Sequence, residues 1–403
     1  MINNKKIVII CHNYEPERIP VNPYQSNRFF TYGFGSNVGR SLKKYCPDYE
    51  IEVWRLDSYA DKYYEGKLQG VLFRVFPSIR LRNVAEFSVN FLKELKKEVN
   101  QNDPLLIILH THYWLAYQVL LLFKNSRIVT THHGEWSPFF RVKNTKGMRK
   151  MKARIDMFIE KKAYKNLDYI FTSDMNHVKY LRMANPSIEY FLWSTGVNFD
   201  HMVPIQREQA RKELGWDLNK KYILYVGKLY KFKQVDEMIM LWQGLKKERP
   251  EIELVIIGNT PGDPWEEFYS LAVNSGAMVL GRILNKDLYR YYSAADVYLL
   301  LALRDDYFGG TGVAALESLA CNTPVVSYAL RNYTGDNINE IGEVPDTLEK
   351  HKDAILKVID HPENYKNMRE SVEKIYSYQS MYLKARTIFD KLLECRPKKR
   401  KNQ

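Results

Sequence analysis

Tyr222-Ile-Leu-Tyr-Val-Gly227-Lys228-Leu-Tyr-Lys231-Phe-Lys233 sets the fold class of this chain. A short run of β-branched, aliphatic and aromatic residues ends in glycine, and three lysines follow before an amphipathic stretch that begins near Val235. Runs of this kind, flanked by helical segments, read as strands buried on both faces of a parallel sheet. Cations just beyond such a strand, beside a helix N-terminus, make a place for phosphates. A solvated basic loop is the alternative for this fragment taken alone.

Similar runs recur on both sides, at 7–11, 105–109, 128–131 and 169–172, and again at 254–257, 297–301 and 324–327. The pattern appears twice, so the expected fold is α/β with two doubly wound domains. Between the two sets lie a polar passage from Trp193 to Pro204 and a polar helix at 207–214. We therefore expect an N-terminal domain over 1–204, a second domain over 205–380, and a C-terminal helix with a basic tail over 381–403. Residues 349–394 have helix-period apolar positions, and no repeat of 20 to 50 residues marks a solenoid or propeller.

Composition narrows the function classes. The 403 residues are 45% hydrophobic and 27% charged, which excludes a disordered, collagen-like or coiled-coil chain. Sixty Lys and Arg against 47 Asp and Glu give a net charge of +13 and favour an anionic partner such as a nucleotide or an acidic membrane surface. Nucleic acid is not expected, because no reading module accompanies the charge. Cys11, Cys46, Cys321 and Cys395 are far apart, so neither a disulfide framework nor a cysteine zinc site is indicated, and a cytoplasmic setting is expected. The apolar runs at 7–11 and 114–123 are too short for a signal peptide and a spanning helix respectively, so any membrane contact would be peripheral.

Four constellations carry candidate chemistry. Leu254-Val-Ile-Ile-Gly258 repeats the strand-then-glycine arrangement, although a plain strand-ending turn has the same signature. The segment 304–326 runs through Asp305, Asp306, Gly309, Gly310, Thr311, Gly312 and Val313 to Glu317 and Pro324. Its glycine-rich backbone can cradle an anion at a helix start, and Glu317 can accept hydrogen bonds from vicinal ribose hydroxyls. In the first half, His110-Thr-His112 and His132-His133-Gly134-Glu135 each follow a strand; a zinc site is disfavoured there for want of a paired carboxylate spacing, and substrate contact or acid/base work is preferred. Residues 141–165 are rich in Lys and Arg, hold only Asp156 and Glu160 as acids, and carry Met148, Met151, Ile155 and Phe158. Such a stretch is either a surface helix with its apolar side on the core or one that lies on an anionic bilayer.

These residues resemble the nucleotide-sugar glycosyltransferases of family 4, which have the GT-B fold. Tyr225-Val-Gly227-Lys228 through Lys233 is similar to the family's V-G-R-L-x-x-x-K stretch, with Lys228 in the Arg position. Val279-Leu-Gly-Arg282 through Ala294-Ala-Asp296-Val resembles the stretch whose loop holds the nucleobase, and Glu317-Ser-Leu-Ala-Cys-Asn-Thr-Pro324-Val-Val resembles E-A-M-A-C-G-T-P-V-V, where the Glu binds ribose. His110-Thr-His-Tyr-Trp114 and Thr131-His-His133-Gly134 are similar to H-S-H-Y-W and T-x-H-G of several members. Two positions depart: Gly309 stands where the family usually has a sugar-contacting Glu, and Gly33-Phe-Gly35 only approximates the first-domain glycine pair.

The resemblance implies two Rossmann-like domains facing across a cleft and retaining transfer of a sugar from a UDP- or GDP-linked donor to a glycan or lipid-linked acceptor. It implies that Gly227, Lys228, Lys233, Gly258, Arg282, Gly310, Thr311, Gly312, Val313 and Glu317 bind the donor. His133, Lys228, Lys233 and Asp306 would carry catalysis, with Gly33, His112 and His133 towards sugar or acceptor. No metal and no cofactor beyond the sugar nucleotide is expected. A non-catalytic sugar-nucleotide binding protein and a sugar-nucleotide epimerase are the competing readings.

Overall fold

The computed structural model describes residues 5–12, 34–82, 85–167, 169–193, 196–229, 231–262, 266–301 and 311–394. The chain divides into two compact units, Met1–Trp193 with Tyr382–Gln403, and Ser194–Met381.

In the first unit the strands are β1 (Lys6–His12), β2 (Glu50–Asp57), β3 (Tyr64–Leu68), β4 (Val71–Pro77), β5 (Ile79–Arg82), β6 (Ala85–Phe87), β7 (Leu105–Leu109), β8 (Arg127–His132), β9 (Tyr169–Thr172) and β10 (Glu189–Leu192). An eight-stranded sheet has the order β10-β9-β8-β7-β1-β2-β4-β3, parallel except for β3 against β4. β1 and β7 are buried along nearly their whole length, as strands covered by helices on both faces must be. Strand order reverses at β1, between β2 and β7, and the carboxyl ends beside such a switch point are where open α/β sheets bind ligands.

The second unit holds β11 (Lys221–Val226), β12 (Ile252–Ile257), β13 (Met278–Gly281), β14 (Val297–Leu300), β15 (Val325–Ser327) and β16 (Gly342–Glu343). They form a wholly parallel sheet of order β13-β12-β11-β14-β15-β16, with its reversal at β11. The expected parallel α/β architecture is thus present in both units.

The division falls at Trp193, upstream of the expected boundary near Pro204, because the passage after it is tied to the second unit. Val197 donates its N–H to the Tyr376 carbonyl at 2.8 Å, and the Arg369 guanidinium donates to the carbonyls of Met202 and, at 3.4 Å, Phe199. The helix Tyr378–Glu394, expected as a terminal helix packing on the doubly wound domains, ends on the first unit. Asp390 accepts from Lys5 at 2.6 Å and Tyr49 at 2.8 Å, and Phe389 packs edge-on against Phe171 of β9. The tail at 395–403 lies outside the described residues. Among the described residues no helix is long and apolar enough to cross a membrane.

Candidate functional site

In the second unit the candidate site grows from the carboxyl ends of β11 and β12. A Cβ at Gly258 would stand 1.9 Å from the Gly227 carbonyl oxygen, so the two chain crossings need glycine there. Gly227 donates to the Ile257 carbonyl at 2.9 Å and Gly258 to that of Gly281 at 2.8 Å, which extends the ladder past the strand ends. The buried Asn259 then accepts the Leu229 N–H at 3.0 Å and fixes the turn that carries the exposed Lys228. Sequence reading missed Asn259, and gave Gly258 a ligand contact where the geometry gives it a packing task.

Lys233 ends the short 3-10 turn Lys231–Lys233. Burial pulls its ammonium below the usual lysine range, and among the described residues no carboxylate pairs with it. A partly desolvated cation without a counter-ion is raised in energy until an anion arrives, so Lys233 is poised for one.

The helix Val313–Ala320 starts at Gly312, whose φ of 86° is open to glycine and costly for other residues. Among the described residues no side chain caps it and the buried Thr311 hydroxyl has no hydrogen-bond partner, and the first intrahelical bond runs from Leu316 N–H to the Gly312 carbonyl at 3.1 Å. The amides of the first turn are left without intrahelical acceptors, which with the helix dipole makes an anion site. Glu317, one turn on, is buried. Asn285 donates to its Oε1 at 2.8 Å and Tyr292 to its Oε2 at 3.0 Å. Burial pushes the carboxyl up, offset by those two donors, and among the described residues no cation pairs with it. It is a fixed acceptor held by neutral groups, with lone pairs left for a diol. Arg282 is exposed just beyond β13. Asp296 of the matched A-A-D-V stretch is structural: it accepts from Arg211 at 2.6 Å and from the Tyr222 N–H at 2.7 Å.

In the first unit, His12, His110 and His133 gather at the carboxyl ends of β1, β7 and β8. Ring centroids of His110 lie 5.2 Å from both His12 and His133. Glu135 ties the group together: Oε1 meets His110 Nδ1 at 2.8 Å and Oε2 accepts the His133 N–H at 2.6 Å. His110 holds φ at 73°, a left-handed conformation that a histidine adopts only when its surroundings impose it. Burial, reinforced by His110, lowers the His133 imidazole to about 3, and His12 falls to about 3 for the same two reasons. Burial opposes the Glu135 anion, yet His110 and its histidine neighbours hold that carboxyl well below its usual range. Near neutral pH His133 is therefore an uncharged hydrogen-bonding group, its Nε2 on the Thr131 hydroxyl at 2.6 Å. The sequence gives Glu135 and His12 no role, because nothing in their spacing marks the convergence.

His112 corrects an expectation. It faces no open surface: its side chain is buried against Glu160 at 2.6 Å and His177 at 2.5 Å, so it cannot contact a sugar as expected. The side chain points into the core because His112 lies past the end of β7, beneath the helix Gly147–Ala163. Gly33, Asp305, Asp306, Gly309 and Gly310 lie outside the described residues.

That helix carries the basic stretch. Its buried face is Ala153, Asp156, Glu160 and Ala163, with Asp156 paired to Arg141 at 3.0 Å and Glu160 to His112. Its solvent side carries Met148 (82% exposed), Met151 (60%), Ile155 (52%) and Phe158 (58%). Both acids are turned inward and these four apolar side chains outward, while Met157 and Ile159 of the same helix pack against the core.

The family described as glycosyl transferases group 1 matches residues 206–375, which include the whole second-unit site. The D-inositol 3-phosphate glycosyltransferase of Corynebacterium aurimucosum is 26% identical over 55% of this chain and 55% of its own length. That of Xylanimonas cellulosilytica is 24% identical over 61% and 62%. The matched region thus spans little more than half the length of these curated relatives. Among solved structures, sucrose-phosphate synthase from Thermosynechococcus elongatus aligns with TM-score 0.69 at 17% identity, covering 96% of this chain and 99% of that one. HepE of Anabaena, solved with UDP and glucose, aligns with TM-score 0.63 at 13% identity, covering 97% and 100%. Residues 206–375 thus match the group 1 glycosyl transferases, and the likeness to the solved structures shows a GT-B fold.

Proposed function

We propose that the protein transfers a sugar from a nucleoside diphosphate sugar to an acceptor, with retention of configuration and without a metal in the reaction. The observation that carries this reading is the second-unit arrangement: a desolvated Lys233 and a helix start at Gly312 that, among the described residues, have no carboxylate partner and no side-chain cap, and a buried Glu317 held by neutral donors. A diphosphate would meet Lys228, Lys233 and the first-turn amides, while the Glu317 carboxylate accepts both ribose hydroxyls. As the acceptor oxygen bonds the anomeric carbon, the sugar–phosphate bond breaks with its electron pair on the departing diphosphate, whose oxygen takes the acceptor hydroxyl's proton. The same cations and amides then stabilise charge where it develops. His133, neutral at working pH, orients a hydroxyl by hydrogen bonding rather than by donating a proton.

The acceptor side belongs to the first unit, and the acceptor is a glycan or a lipid-linked molecule at an anionic membrane surface. The outward stripe of Met148, Met151, Ile155 and Phe158, edged by exposed Arg149, Arg154, Lys161 and Lys162, has the composition of a helix that lies in the lipid headgroup region. Each cation near an acidic surface adds about 1 kcal/mol. Incubation of the full chain with radiolabelled UDP- and GDP-sugars and cell lipid extract tests the reading. Label in a lipid or glycan fraction with release of nucleoside diphosphate supports it. Tight donor binding with neither transfer nor slow donor hydrolysis refutes transfer and favours a binding protein.

A further inference from the structure

Three histidines the proposed reaction does not use converge inside the first unit: His112 beyond β7, His132 at the end of β8, and His177 in the helix Met175–Ala184. One ring nitrogen from each lies within 4.8 Å of the others, and all three side chains are buried. His112 Nε2 and His177 Nε2 are 2.5 Å apart, too close for two lone pairs with nothing between them; a shared proton fits this spacing, and a metal bonded to both at about 2.0–2.1 Å would part them to about 3.3 Å. The outer nitrogens of His112 and His132 are arranged as those of metal-bound histidines are. His112 Nδ1 meets the Glu160 carboxylate at 2.6 Å. His132 Nε2 lies 2.9 Å from the Glu135 carbonyl, which can only accept, so the proton sits there and the Nδ1 lone pair is free to leave the Thr172 hydroxyl at 3.1 Å. Carboxylate and carbonyl partners of this sort fix the tautomer that ligates.

Charge balance points the same way. Glu160 is fully buried and receives the Tyr117 hydroxyl at 2.6 Å; among the described residues its Oε1 has no hydrogen-bond partner and neither Lys nor Arg pairs with it. A buried carboxylate needs a positive charge nearby. We propose that His112, His132 and His177 hold a divalent ion of the zinc class, a structural centre that ties β7, β8 and the helix Met175–Ala184 together. Being enclosed, it plays no part in sugar transfer, and its failure would leave the proposed reaction standing.

The test uses full-length protein from which any polyhistidine tag has been removed. Elemental analysis after dialysis should find about one zinc per chain. The metal-depleted protein should melt lower, and Co2+ added to it should give visible d–d bands that are lost in His112→Ala and His177→Ala. Glu160→Gln, which keeps the shape and removes the charge, should weaken Zn2+ in competition with a chromophoric chelator by about 10- to 100-fold. Should those variants fail to fold, the wild-type Co2+ spectrum still decides. Wild-type protein with no zinc, no Co2+ bands and a melting temperature indifferent to chelator overturns the proposal and leaves a proton shared between His112 and His177.

Discussion

Replacing Glu317 by Gln separates binding from folding. The carboxylate is buried, with neutral Asn285 and Tyr292 as its partners, so its negative charge opposes folding while serving as an acceptor. A carboxyl whose pKa is raised on folding contributes stability that is complete below the unfolded value. That contribution is lost as pH rises through the raised one, so at neutral pH the ionised group is a cost. Glutamine removes that cost, retains an oxygen for one donor, and should leave the melting temperature unchanged or higher. Binding should respond in the opposite sense. Hydrogen bonds to a charged group are worth about 1.5–3 kcal/mol against 0.5–1.5 for neutral ones, so two ribose bonds should weaken by about 2 kcal/mol together. That is about 30-fold in Kd for a nucleoside diphosphate by isothermal titration calorimetry. An unchanged Kd in a folded variant would refute the ribose assignment, and a 2′,3′-dideoxy nucleotide should be insensitive to the substitution.

Other outcomes follow from the same geometry. Lys233→Met should raise the melting temperature of the nucleotide-free protein, since the desolvated ammonium disappears, yet weaken diphosphate binding and flatten its salt dependence in titrations at several ionic strengths. His12 and His133 fold with pKa values near 3 against about 6.5 unfolded, so the unfolded chain binds more protons between these values. Stability should therefore fall as pH drops below 6.5, with about 3 kcal/mol per pH unit from the pair together, and His133→Asn should lower the slope measured in denaturant titrations by about 1.4 kcal/mol per pH unit. Met148→Ser combined with Phe158→Ser should leave thermal stability unchanged, because both side chains are exposed, and abolish co-flotation with acidic liposomes. Gly258→Ala should lower the melting temperature sharply, since its Cβ meets the Gly227 carbonyl oxygen and not a flexible side chain.

The strands at 7–11, 105–109, 128–131, 222–226, 254–257 and 324–327 were legible because their apolar runs are buried on both sheet faces. β2 was not, since Glu-Ile-Glu-Val-Trp-Arg-Leu-Asp looks half-exposed while the structure buries Glu52, Arg55 and Asp57. Lys6 meets Glu52 and Glu98 at 2.7 Å each, and pairing across three elements is invisible to local pattern. The helix Gly147–Ala163 misleads for a similar reason: its acids face inward because partners far along the chain receive them. Around Glu317 the apolar neighbours foretold burial, but Asn285 and Tyr292 reach it from another segment and carry no sequence mark. His112 and His133 looked alike in sequence, and only the third dimension separates a core histidine from one beside the strand-end cluster.

A crystal structure of the full chain with a bound nucleoside diphosphate tests the central claim most directly. The account predicts the diphosphate against Lys228, Lys233 and the amides that open the helix Val313–Ala320, with both ribose hydroxyls on Glu317. A nucleotide bound elsewhere, with those groups untouched, would contradict it.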